Sequence, residues 1–287
     1  MSESNGPGSD PPSAGDTSTD EDRQYVLYPI FESHNHRTFE IARDIADGAD
    51  ATLLLLDLYA HDAETLDESR RVSSDLLANR LDDDRDLVVQ TRFEHTDDPA
   101  DAVITVARNH DTRLLVFDEH APESLVAPIT GDVTDRISDR VHCDAVTVER
   151  VRASPIASVL VPIAGGKHSG LSISIGGAIA RSAGAVLELF HVPEPDETTA
   201  QVDELFEDAA ERVLDDVDVD TWTLEREDVA DAIVEQSNHY DLTVVGEPTR
   251  GRLRRFVFGS ITDDVSEGAH NTVLVSRRSN ADPFSCT

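Results

Sequence analysis

Lysine is almost missing from this chain: of its 24 basic residues, 23 are arginine and one, Lys167, is lysine. Cysteine is nearly as scarce. Cys143 and Cys286 lie far apart without metal-ligand spacing, which excludes a disulfide framework and fits a reducing compartment. No apolar run approaches the ~20 residues that a membrane span needs. The opening MSESNGPGSDPP lacks the basic-then-apolar order of a secretory signal. The expectation is a cytoplasmic protein, neither secreted nor membrane-embedded. Positive charge is short as a class, with 24 Arg and Lys against 58 Asp and Glu, a formal net charge of -34 on 287 residues. Nucleic acid is therefore a disfavoured partner, because binding it takes cations to neutralise phosphates.

What is abundant is acid. Acid-rich, lysine-poor chains resemble the cytoplasmic proteins of organisms that accumulate molar salt, so a halophilic, salt-adapted character is expected. A charge of -34 repels itself strongly in dilute solution. At ~1 M salt the Debye length falls to ~3 Å and most of that repulsion is screened.

Residues 1–22 carry six carboxylates and no basic residue among Ser, Gly, Pro and Thr, the composition of a disordered tail. Residues 280–287 read as a second, short tail. Between them the chain reads as alternating strands and helices, twice over. The strands are expected at 24–30, 51–59, 86–92, 112–118 and 143–151, then at 157–163, 185–192, 219–226, 241–247 and 271–278. Their apolar runs are short and continuous, as in parallel strands buried on both faces. Pro29 aligns with Pro162, Asp57-Leu58 with His191-Val192, and Gly131 with Gly259. The chain is thus a tandem repeat of one α/β domain, 23–152 and 153–279, each a doubly wound layer with helices on both faces.

In open parallel sheets, ligands bind beyond the carboxyl ends of the strands where strand order reverses. In the second copy the fourth strand runs into VVGEPTRGRLRRFVFGSITDDV, in which Gly259-Ser260-Ile261-Thr262 opens the next helix. Glycine lets backbone N–H groups approach a phosphate, and a helix start supplies free donors. Taken alone, Gly259-Ser260 reads as a plain N-cap. The charge argues for more. Arg250, Arg252, Arg254 and Arg255 stand against Glu247 alone, so the window 246–260 is at +3 in a chain at -34. Its counterpart, 118–132, holds Asp118, Glu119, Glu123 and Asp132 without a cation and stands at -4. Surface salt bridges account for any single arginine more readily than for the cluster. The second copy is therefore the expected anion site.

At these residues the chain resembles the universal stress protein family. The resemblance covers about 23–278 and is clearest in the second copy, at VLVPI, LFHV and the glycine-arginine segment. It implies two Rossmann-like, adenine nucleotide alpha hydrolase-like five-stranded sheets forming a pseudo-dimer, with the strand at 143–151 pairing with that at 271–278. Nucleotide-binding members carry Gly, two residues, Gly, nine residues and Gly-Ser or Gly-Thr. Here the spacing runs through Gly246, Thr249 and Gly259-Ser260, with Thr249 in place of the second glycine. Ala164 stands where such members have an aspartate that contacts the nucleoside. The resemblance implies that Ile163 and Val192 lie along a base and Val245 and Gly246 near the sugar and phosphates. It further implies that Thr249, Arg252, Gly259, Ser260, Ile261 and Thr262 surround the phosphates. The ligand would be ATP or another adenine nucleotide, with or without Mg. By the same resemblance the first copy, with Pro29-Ile30-Phe31, Asp118 and Asp132, is degenerate.

Other constellations are weaker. Gly165-Gly166-Lys167-His168-Ser169-Gly170 fails the spacing of a phosphate loop and reads as a turn into a helix over 171–184. His34 and His36 lack a third ligand and read as loop histidines. His191 reads as local packing at the crevice edge. No nucleophilic triad or carboxylate pair stands out, so the expectation is a regulatory binding protein and not an enzyme. A ligand-free interaction module is the second reading. Its partner would be an unidentified regulatory protein, with a transporter's cytoplasmic face as one example, and a homodimer is a further option. Slow nucleotide hydrolysis comes third.

Overall fold

The computed structural model describes residues 24–30, 36–59, 87–96, 98–118, 140, 143–149, 152, 155–164, 169–213, 215–246, 268–279 and 284. The first half supplies strands β1 (Tyr25–Ile30), β2 (Thr52–Tyr59), β3 (Val89–His95), β4 (Thr112–Asp118) and β5 (Asp144–Glu149). The second supplies β6 (Ser158–Pro162), β7 (Val186–His191), β8 (Val219–Thr223), β9 (Leu242–Gly246) and β10 (Thr272–Arg277). The described helices are α1 (His36–Gly48) and α2 (Pro99–Asn109), then α3 (Ser169–Ala183), α4 (Thr199–Ala210) and α5 (Val229–Ser237). All ten strands form one sheet in the order β3-β2-β1-β4-β5-β10-β9-β6-β7-β8. Each half has its own switch point, where its first strand lies between its second and fourth.

The halves join as the family resemblance implied. β5 and β10 pair antiparallel, from Val273 opposite Glu149 to Arg277 opposite Ala145, and every other pairing in the sheet is parallel. Because this one pair reverses direction, the carboxyl ends of the two halves face opposite ends of the sheet.

Alternation along the strands sorts the core into layers. Val26, Leu53, Val146, Val159, Val244 and Leu274 face one side, where α1, α3 and α4 cover a single apolar cluster spanning both halves. On the other side α2 covers Leu27, Leu54 and Leu115, while α5 covers Leu160, Phe190 and Val245. α1 and α3 cross where Gly48 meets Ala178. A Cβ on Gly48 would lie 1.8 Å from the Ala178 carbonyl oxygen, so the contact requires glycine. Arg181 ties the same junction, donating to Gly48 O at 3.1 Å, Asp50 at 2.7 Å and Asp216 at 2.9 Å.

Two expectations shift. The third strand begins at Val89, three residues later than expected, because its partner is β2 in the register Leu53 to Val89. The apolar Leu87 and Val88 lead into it, with Val88 O accepting from Leu53 N. The eighth strand ends at Thr223, since the chain turns toward α5, whose first turn Asp228 caps through Ala230 N and Asp231 N. Within the stretch read as a C-terminal tail, Phe284 is buried in the shared cluster. Its N–H and that of Ser279 donate to the buried carboxylate of Asp144.

Candidate functional site

The crevice of the second half opens where β6 and β9 part. Their ladder covers only Val159–Leu242 and Leu160–Thr243, whereas β6 with β7 and β9 with β10 stay paired over five residues each. Beyond that point the carboxyl ends of β6 and β9 separate, as switch-point crevices require. Four of the expected site residues stand at the carboxyl ends of β6, β7 and β9. Ile163 follows β6 and is buried, Val245 is buried at the end of β9, Gly246 closes β9 half-buried, and Val192 follows β7 half-buried. Ile163 packs into the cluster under α1, α3 and α4, and Val245 into the cluster under α5, on the opposite face of the sheet. Thr249, Arg252, Gly259, Ser260, Ile261 and Thr262 lie outside the described residues, as do Lys167 and His34.

His191 does more than pack. Its ring is buried, with Nδ1 2.8 Å from the Ile163 carbonyl oxygen and Nε2 2.9 Å from Glu197 Oε2. The Ile163 N–H in turn donates to Phe190 O at 2.8 Å. Ile163 is therefore pinned at both backbone groups by the end of β7. Glu197 also accepts the Glu194 N–H at 3.0 Å, which closes the turn leading to α4. The hydrogen bond from His191 holds the Glu197 carboxyl below the usual glutamate range, against the opposing effect of burial. Both ring nitrogens face acceptors, so a neutral imidazole can donate to one and only the imidazolium donates to both. Sequence reasoning placed His191 at the crevice edge but missed Glu197. The one available signal was a carboxylate six residues on, in a turn-forming PEPDE segment.

Ala164 is exposed, and its N–H donates to Ser169 Oγ at 3.3 Å, which ties the end of β6 to the start of α3. At this position the crevice offers no carboxylate to a ribose. The first half differs at its own switch point. Asp118, the counterpart of Gly246, sets a carboxylate at the end of β4 and accepts from Thr38 Oγ1 of α1 at 3.0 Å. His36 begins α1, exposed and 3.5 Å from Glu40. Among the described residues no three His, Cys, Asp or Glu side chains group as a metal site. Burial, reinforced by Asp144, pushes the Cys143 thiol up to about 12, which removes it as a nucleophile. No described helix is long and apolar enough to cross a membrane.

The fold has solved counterparts over nearly its whole length. A universal stress protein from Archaeoglobus fulgidus DSM 4304 superposes with a TM-score of 0.57 at 15% identity, covering 89% of this chain and 97% of that one. A putative universal stress protein from Pseudomonas aeruginosa UCBPP-PA14 gives 0.55 at 18% identity, covering 90% and 94%. The cytoplasmic domain of a prokaryotic cation chloride cotransporter gives 0.61 at 13% identity, covering 89% and 96%. A comparison with curated proteins finds no match. At the level of sequence, the universal stress protein family matches residues 156–277, the half that contains β6 to β10. The second half of the chain belongs to the universal stress protein family.

Proposed function

We propose that this chain is a cytoplasmic regulatory protein of the universal stress type that binds an adenine nucleotide, ATP or AMP in kind, in the crevice of its second half. The observation that carries the reading is the parting of β6 and β9 beside Ile163, Val245 and Gly246, immediately before the Gly246…Gly259-Ser260 spacing. The base would lie along Ile163 and Val192, and the sugar would cross Val245 and Gly246. The phosphates would sit at the Gly259–Thr262 helix start, with Thr249 and Arg252 beside them. Ala164 in place of a carboxylate removes one polar contact to the nucleoside, worth ~1–3 kcal/mol. Asp118 at the matching place of the first half would repel a phosphate, which supports a single site per chain. Bound nucleotide would act by changing what the crevice rim presents to a regulatory partner.

The test is calorimetric titration of ATP and AMP into protein kept in molar salt, alongside the Gly259→Asp variant. Saturable binding to the parent and none to the variant is expected, since the new carboxylate would compete for the phosphate donors. Equal affinity in both would refute the site.

A second reading, a ligand-free interaction module, is favoured by Ala164. The likeness to a cotransporter's cytoplasmic domain is one of fold, and it makes a transporter's cytoplasmic face the partner to try under that reading. Protein that carries no nucleotide on purification and binds none added would favour it.

A further inference from the structure

Among the described residues, strand β8 ends the sheet with one side paired and the other open. The Leu187 N–H donates to Asp218 O and the Leu224 N–H to His191 O. Even-numbered residues of β8 therefore turn their backbone groups to β7, and Val219, Thr221 and Thr223 turn theirs to the open side. From Asp220 to Thr223 every side chain is exposed. Trp222, the single tryptophan of the chain, is 52% exposed and stands in register with the buried Phe190. It therefore projects on the α5 side of the sheet, as does Asp220, which stands in register with Glu188. Val229, which opens α5, is the other large apolar residue exposed among the described residues.

Open edges invite another strand, and proteins blunt them with lysine, proline, bulges or a covering element. β8 has no lysine and no proline, and is flanked by acid instead. Asp215, Asp216, Asp218, Asp220, Glu225, Glu227 and Asp228 stand against Arg226 alone, a net of -6 over 215–228. Asp216 and Arg226 are already committed, to Arg181 and Glu235. This charge deters a second copy, because antiparallel pairing about Thr221 would bring two acid-rich flanks together. It suits a cationic strand. Alternate basic residues of that strand would fall on the α5 side, against Asp220 and the face of Trp222.

We propose that the open edge of β8 is a docking site for an extended, Lys- or Arg-bearing segment of a partner protein, which adds to the sheet as an eleventh strand. Main-chain bonds to Val219, Thr221 and Thr223 would set its register, and Asp220 with Trp222 would select basic side chains. The proposal does not rest on nucleotide binding in the crevice.

Trp222 is its own reporter. The full chain, at the lowest salt that leaves its circular dichroism unchanged, is titrated with a peptide of about ten residues alternating Arg and Val. A matched peptide alternating Glu and Val serves as the comparison. A saturable change in Trp222 emission with the basic peptide alone, weakening as salt rises, is expected. Thr221→Pro removes an outward donor while sparing the ladder to β7, and should weaken binding at least tenfold. Should that variant fail to fold, Asp220→Lys leaves the backbone alone and should weaken it about tenfold. No response, an equal response to the acidic peptide, or unchanged affinity in the folded variants would overturn the proposal. So would sedimentation showing a dimer of this chain that Thr221→Pro dissolves, because the occupant would then be a second copy.

Discussion

At the scale of single residues, the end of β7 rests on the hydrogen bond between His191 Nε2 and Glu197 Oε2, 2.9 Å apart. The same ring lies 2.8 Å from the Ile163 carbonyl oxygen, so loss of the pair should be felt in stability. Glu197→Gln keeps an acceptor but removes the charge, and is expected to cost about 1–2 kcal/mol at neutral pH, read by chemical denaturation in molar salt. The sign of the pH dependence follows from the lowered carboxyl. The ordinary value is 4.5, so the contribution is fully present above that pH and lost as pH falls through the lower value in the folded state. Stability curves of parent and variant should therefore lie apart at neutral pH and converge as pH drops below 4.5. A constant gap down to acid pH would mean that the carboxylate's charge contributes nothing. This pair also marks what one sequence could and could not disclose. The strand ends on which Ile163, Val192, Val245 and Gly246 stand were legible from the βα pattern, whereas the choice of those residues came from the family resemblance. Glu197 was not legible, because its partnership with His191 depends on how the turn after β7 folds back, and a turn-forming segment alone does not choose among its three acids.

At the scale of elements, the junction of α1 and α3 holds the halves together on the face where both contribute to one core. Gly48→Ala must push Ala178 away or tilt a helix, and the expected cost is about 1–3 kcal/mol. The comparison is Gly177→Ala in α3, whose added methyl meets Val213 Cγ1 at an ordinary 3.6 Å. There the gain in helix propensity, up to about 1 kcal/mol, should leave the protein as stable or more so. Thermal melts of the two variants would separate the contributions, and a Gly48→Ala protein as stable as the parent would contradict the close crossing. The strands themselves were legible because continuous apolar runs bounded by turn residues admit little else. The pairing of β5 with β10 followed from the repeat and its family resemblance. The start of β3 was not legible, since Leu87, Val88 and Val89 are equally apolar and only the register against β2 chooses among them. The need for glycine at Gly48 was equally hidden, because it arises from a helix 130 residues away in the chain.

At the scale of the whole molecule, the charge of -34 and the way the halves join bear on each other. The outer faces are acidic well beyond β8. Asp203, Glu204, Glu207 and Asp208 are all exposed on α4, a helix without a basic residue. Against this repulsion the junction sets Arg181, bonded to Asp50 and Asp216, and Ser182, which donates to Asp47 at 2.7 Å. Exposed ion pairs of this kind contribute ~0–1 kcal/mol each, too little to balance an acidic surface in dilute solution. Salt weakens those pairs too, but it weakens the far more numerous like-charge repulsions at the same time, so the balance favours folding as ionic strength rises. The apolar cluster shared by both halves does not depend on salt in this way. The expected outcome is loss of the helical circular dichroism signal on dialysis from molar potassium chloride into dilute buffer, and its return when salt is restored. Because the cluster runs through both halves, the loss should be a single transition, with α1 and α3 released together. A spectrum unchanged in dilute buffer would refute salt dependence. Two separated transitions would show that β5, β10 and the α1–α3 crossing fail to make the tandem halves one cooperative unit.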